Sequence, residues 1–147
     1  MIDPQSSIKV MHTHPIRVYY EDTDCAGVVY YSNYLRFAER ARTEMFREIG
    51  FSNIEYSKDK GITFAVRNCD TEYLKPAFLD DFLEVDTGNL DLHGASFWIS
   101  QNVRRQHDFL VTMRLRLVCV DKEGQVSRIP KNLLHNMQKL QGKVSLI

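Results

Sequence analysis

The chain has 147 residues, 44% of them hydrophobic, and its 19 basic and 19 acidic residues balance to a formal charge of zero. A chain of that length buries about two-thirds of its unfolded surface, so residues 1–147 are expected to form a single domain. The zero balance gives no whole-chain case for nucleic acid or an anionic membrane surface, and three cysteines (Cys25, Cys69 and Cys119) without C-x-x-C spacing argue against a disulfide framework and for a reducing compartment.

Met1 to Pro15 is polar, carries two prolines and is expected to fray. It lacks the apolar segment of a secretion signal, and no apolar run reaches bilayer-spanning length, so a soluble cytoplasmic protein with no transmembrane segment is expected. Ile16 to Glu21 alternates and reads as the first strand; Asp22 to Gly27 is a polar turn. From about Ser32 the spacing turns helical. Tyr34, Ala38, Ala41, Met45 and Ile49 form one stripe, widened by Phe37 and Phe46, while Arg36, Glu39, Arg40, Arg42, Thr43, Arg47 and Glu48 take the solvent side. Ser32 or Asn33 suits an N-cap, and Gly50 suits the end of the helix. Phe51 to Gly61 reads as a short irregular or helical connection.

Four long β-like stretches follow: Ile62–Tyr73, Phe82–Leu92, Ala95–Arg105 and Phe109–Asp121. The breaks, at Lys75-Pro76 with Asp80-Asp81, His93-Gly94, Gln106-His107-Asp108 and Glu123-Gly124, are short enough to imply antiparallel neighbours. Val126 to Ile129 extends the last strand on this reading, Pro130 breaks it, and Lys131 to Gln141 has the Leu and Met content of a terminal helix. One early strand, a long amphipathic helix and a meander of strands make an α+β layout in which the helix needs a concave sheet face to cover it.

A strand, a carboxylate-bearing turn and a helix N-terminus in succession are chemically loaded, because the free amides and dipole of the helix favour negative charge nearby. A base and an oxyanion site could stand side by side there. Asp24 is the candidate base or nucleophile; on spacing alone it is better explained as a turn or helix cap. Asp22 has the same credentials, and a second carboxylate is better used as a hydrogen-bond anchor for the loop. Cys25 has no adjacent histidine to activate it. The five histidines show no H-x-x-x-H spacing and do not cluster with cysteine, so no metal site and no cofactor are expected. Arg40 and Glu44, at i and i+4, suit a helix salt bridge.

The run Tyr20-Glu21-Asp22-Thr23-Asp24-Cys25-Ala26-Gly27-Val28-Val29-Tyr30, continued by Asn33-Tyr34-Leu35 and Glu39-Arg40-Ala41-Arg42-Thr43-Glu44, resembles the signature of the hotdog-fold acyl-CoA thioesterases. Within them it is most similar to the Tol-Pal-associated YbgC group, near the 4-hydroxybenzoyl-CoA thioesterases. The similarity continues through Tyr73-Leu74-Lys75-Pro76-Ala77 and Leu79-Asp80-Asp81 to Val118-Cys119-Val120-Asp121 and Ile129-Pro130-Lys131.

The resemblance implies a hotdog fold, an antiparallel five-stranded sheet wrapped around one long central helix. It implies hydrolysis of an acyl-CoA, with Asp24 as general base or nucleophile and the Tyr31 backbone N–H binding the thioester oxygen. Relatives of the YbgC group commonly read V-V-Y-H where this chain has Val28-Val29-Tyr30-Tyr31, so any contribution of a histidine side chain is absent. Gly27, Val28 and Tyr34 are implied at the substrate, and Arg128 and Lys131 at the coenzyme A phosphates. Implied partners are the acyl-CoA, a second copy in a homodimer or homotetramer joined sheet edge to sheet edge, and an acyl-carrier protein as another carrier of the acyl group. Glu44 is a rival acid by analogy with another hotdog lineage. A binding module that holds acyl-CoA or acyl-carrier protein without turnover is the alternative reading. A hotdog dehydratase ranks below both, because it needs a catalytic histidine in this region.

Overall fold

The computed structural model describes residues 8–52 and 61–142. Its elements are β1 (Val10–Arg17), a single 3-10 turn (Tyr20–Asp22), α1 (Asn33–Glu48), β2 (Thr63–Tyr73), β3 (Phe82–His93), β4 (Ser96–Arg105), β5 (Asp108–Val120) and α2 (Lys131–Gln141). The strands form one antiparallel sheet in the order β1-β3-β4-β5-β2, so β3 and β4, and β4 and β5, are neighbours as expected, whereas β2 pairs with β5 and not with β3, whose other side is taken by β1. This is the α+β architecture of a hotdog fold.

The first strand departs from expectation at both ends. It begins at Val10, inside the segment expected to fray, and ends at Arg17, after which Tyr20 to Asp22 coils into the 3-10 turn. The physical reason is position. Among the described residues β1 lies at the sheet edge and pairs only with β3, so His12, Thr13, His14 and Pro15 need no second partner, and a proline is tolerated there. The connection after Gly50 lies largely outside the described residues. Val126 makes a single bridge to Val120, so the last strand is not extended as expected.

α1 buries Tyr34, Phe37, Ala38, Ala41, Met45 and Phe46 on the concave face of the sheet. It packs on β1, β3 and β4, where Leu83, Val85, Phe97, Ile99 and Val103 meet it fully or almost fully buried. β2 is exposed along nearly its whole length as the second edge.

Arg42 corrects the solvent-side reading of the helix, for it is only 8% exposed. Its Nη1 donates to Gln101 Oε1 at 2.9 Å, and Gln101 Nε2 donates to the Ala38 carbonyl and the Thr87 hydroxyl, both at 3.0 Å. A polar chain therefore crosses the helix–sheet seam, and burial lowers the Arg42 pKa from its ordinary value.

Candidate active site

The segment between β1 and α1 is laced to the sheet before any chemistry enters. Asp22 is buried; its Oδ2 accepts from the Tyr19 N–H at 2.9 Å, and its carbonyl accepts from the Tyr30 N–H at 3.1 Å and Asn33 Nδ2 at 2.7 Å. One residue thus ties the strand end, the loop and the helix start, which is the anchoring expected of it. The loop closes through Asp24 N–H to the Val28 carbonyl at 2.9 Å and Gly27 N–H to the Asp24 carbonyl at 3.1 Å. Gly27 sits at φ 78°, in the left-handed region that favours glycine, and its carbonyl accepts from Leu79 N–H at 3.1 Å. Val28 bridges to Phe78, and the Val29 N–H donates to the Ala77 carbonyl at 2.9 Å.

Asp24 is exposed on this braced loop. Its Oδ1 accepts from the amides of Ala26 at 2.9 Å and Val28 at 3.3 Å, while Oδ2 has no hydrogen-bond partner among the described residues. One oxygen fixes the carboxylate and the other is open.

The helix start spends part of its donors locally, the Asn33 N–H going to the Tyr30 carbonyl at 2.9 Å. Ser32 occupies the N-cap position, as expected, but makes no side-chain cap, and the Asn33 side chain reaches back to Asp22 instead. The Leu35 N–H turns to the Ser32 carbonyl at 3.2 Å. Among the described residues the Tyr31 N–H has no acceptor, and the Tyr31 carbonyl takes a hydrogen bond from the Tyr73 hydroxyl at 3.2 Å. A half-free carboxylate and an unpaired amide at the positive end of a 16-residue helix therefore share one loop. Such a pair can deliver water or oxygen to a carbonyl and hold the negative charge that develops on it.

Aromatic rings surround the opening. Tyr30 and Tyr31 stand 4.8 Å apart, Tyr31 meets Tyr73 at 6.3 Å, and Tyr73 meets Tyr34 at 5.8 Å. Tyr30, Tyr31 and Tyr73 are 49%, 61% and 45% exposed, and Leu74 and Phe78 beside them are also exposed. Tyr34 is different. It is buried, its hydroxyl accepts from the Ala77 N–H at 3.0 Å, and burial raises its phenol pKa. It forms the floor of this region and braces the connection between β2 and β3.

Arg128 and Lys131 are not brought to this loop. The Ile129 N–H donates to the Gly94 carbonyl at 3.1 Å, so both residues lie at the β3–β4 turn, near Ser96. The Asp24 loop lies at the opposite end of β4, where Arg105 donates to the Pro76 carbonyl at 3.2 Å and to Asp81 at 2.7 Å. From Ser96 to Arg105 the strand spans roughly 30 Å. Arg104 is held by Asp86 and Glu84. Among the described residues no group of His, Cys, Asp and Glu is placed to hold a metal ion.

Sequence reasoning missed Tyr73 and the backward reach of Asn33. Tyr73 contacts Tyr31 across 42 positions, and no local spacing encodes such a contact. For Asn33 there was a signal: a side chain suited to capping amides is equally suited to donating to a carbonyl.

The family described as the Thioesterase-like superfamily matches residues 18–137. The chain is 41% identical over 122 residues to the acyl-CoA thioester hydrolase YbgC of Escherichia coli, covering 82% of this chain and 90% of that protein. It is 39% identical over 107 residues to the acyl-CoA thioesterase YbgC of Haemophilus influenzae, covering 73% and 79%. Among solved structures it is similar to a probable thioesterase from Bartonella henselae, with a TM-score of 0.76, 36% identity, and coverage of 81% of this chain and 98% of that one.

Proposed function

Because the chain belongs to the thioesterase-like superfamily, we propose that it is an acyl-CoA thioester hydrolase, which cleaves an acyl thioester to a carboxylate and free coenzyme A. The observation that carries the reading is the juxtaposition in one braced loop of the open Asp24 Oδ2 and the unpaired Tyr31 N–H. Acting as a base, Asp24 takes a proton from water as the water oxygen bonds to the thioester carbon. The carbonyl oxygen gains the negative charge beside the Tyr31 amide and the helix N-terminus. Collapse breaks the C–S bond, and the departing thiolate takes up a proton. Acting as a nucleophile, the same oxygen forms a mixed anhydride that water then cleaves. Label found in the Asp24 carboxylate after single turnover in heavy-oxygen water establishes the anhydride route, since it enters there only when water attacks the Asp24 carbon of an anhydride, and trapping of an acyl-enzyme on Asp24 establishes it where water attacks the other carbon.

Gly27 and Val28 supply the backbone the thioester approaches, and the exposed rings of Tyr30 and Tyr31 flank it. Arg128 and Lys131 bind coenzyme A phosphates from a second copy of the chain. Their position at the far end of β4 supports this, because one thioester at Asp24 would otherwise have to bridge the whole sheet. The open β2 edge supports the same assembly, a homodimer or homotetramer joined along that strand. No helix among the described residues is long and apolar enough to cross a membrane, and the cytoplasm is the proposed compartment.

Free-thiol release over acetyl-, octanoyl-, palmitoyl- and 4-hydroxybenzoyl-CoA, with Asp24→Asn alongside, tests the proposal. Turnover of at least one thioester, reduced about a hundredfold or more in the variant, is expected. Tight coenzyme A binding without turnover in either protein would replace the hydrolase by a binding module.

A further inference from the structure

Resting on that reading, we infer that Tyr73 is a positioning residue for the oxyanion site: it holds Tyr31 from the far side, so that the unpaired Tyr31 amide keeps its aim. Tyr73 is the last residue of β2 and owes its place to the sheet, not to the loop. Its hydroxyl donates to the Tyr31 carbonyl at 3.2 Å, and its ring lies edge-on to Tyr31 and Tyr34 at 6.3 and 5.8 Å. The carbonyl is free to accept because the Leu35 N–H has turned to Ser32. The peptide that carries the Tyr31 N–H has one tie, the Asn33 N–H to the Tyr30 carbonyl at 2.9 Å, and without the tyrosine the next peptide would lose the bond on the Tyr31 carbonyl that fixes Tyr31 from its other side.

Burial raises the Tyr73 phenol pKa, which keeps the hydroxyl protonated and able to donate at neutral pH. Nothing about the folded core requires this bond. Tyr73 is 45% exposed and could satisfy its hydroxyl with water, whereas it donates to the carbonyl of Tyr31, the residue whose N–H is left without an acceptor among the described residues. A donor aimed at a developing oxyanion loses most of its worth with a small error in direction, so a hydrogen bond one atom group away can control the rate without touching substrate.

The test uses the fastest thioester of the panel, with Tyr73→Phe, which keeps the ring and removes the hydroxyl. The expected result is a fall in kcat of about tenfold, with KM within about twofold and the melting temperature unchanged. In parallel, that thioester carrying a heavy-carbon carbonyl is bound to Asp24→Asn with and without Tyr73→Phe. The infrared carbonyl band, displaced to lower frequency by the aimed amide, is expected to move back toward its position in water when the hydroxyl is removed. An unchanged kcat overturns the inference. So does a reduced kcat with an unmoved band, because the residue would then be merely structural. Full activity of Asp24→Asn instead overturns the role given to Asp24, and absence of turnover in the unaltered protein overturns the hydrolase reading itself.

Discussion

The two ends of α1 are each ringed by four aromatic residues of different chemistry. At the C-terminal end Phe46, Phe51, Phe64 and Phe97 stack and tilt at 5.3–5.8 Å, with Phe46, Phe51 and Phe97 at 4% exposure or less. At the N-terminal end Tyr30, Tyr31, Tyr34 and Tyr73 meet at similar spacing, yet three of them are open to solvent. Both clusters bring rings together; only one adds hydroxyls and exposure. The phenylalanines convert surface into stability, while the tyrosines leave surface unburied and spend their hydroxyls on the helix start and the Ala77 connection. On the proposed function, stability and chemistry fall to opposite ends of one helix.

The sharpest way to break this division is to truncate a ring at each end. Phe97→Ala should cost about 4 kcal/mol by urea unfolding, since a fully buried ring leaves a cavity. Tyr31→Ala should change stability by less than about 1 kcal/mol, since the ring is exposed. Equal costs would dissolve the comparison.

Next in size is the polar chain midway along the helix. Gln101→Leu leaves the Arg42 guanidinium without the hydrogen bond it makes to Gln101 and strips the Thr87 hydroxyl of a donor. A loss of about 3 kcal/mol is expected by the same unfolding measurement. A neutral result would mean that Arg42 swings to solvent and that the chain does not lock the seam.

The smallest effect concerns β1 where it passes α1. Burial holds the His14 pKa below its ordinary 6.5; Glu44 opposes that shift, while His12 and Arg40 add to it. The unfolded chain therefore takes the proton first, so stability is complete above pH 6.5 and is lost as pH falls through the lower folded value. His14→Gln should flatten the acid limb of melting temperature against pH over that window. An unaltered limb would assign the acid sensitivity elsewhere.

The sequence made the helix legible because its apolar stripe has one period and one solution. β2 to β5 were legible within a residue or two for the same reason. Arg42 was misread because a helical wheel sorts by residue type, and an arginine that buries its guanidinium against Gln101 looks like its solvated neighbours. The start of β1 was missed because an edge strand tolerates the histidines and proline that argue against a central one. In the site, the D-x-D turn and the helix start were readable as adjacent segments. The open Oδ2, the turned Leu35 amide and the Tyr73 contact were not, since each depends on a bond whose partner the local pattern does not name.

The spread of charged groups along β4 has a genetic consequence. On the proposed two-chain site, a subunit with its acid at one end and its cations at the other is half of two different enzymes. A strain carrying one allele altered at Asp24 and another altered at Arg128 and Lys131 would concentrate both lesions in one site of each mixed pair, leaving the other site whole. Two inactive alleles would then restore each other in the same cell, although neither could be rescued by more of itself.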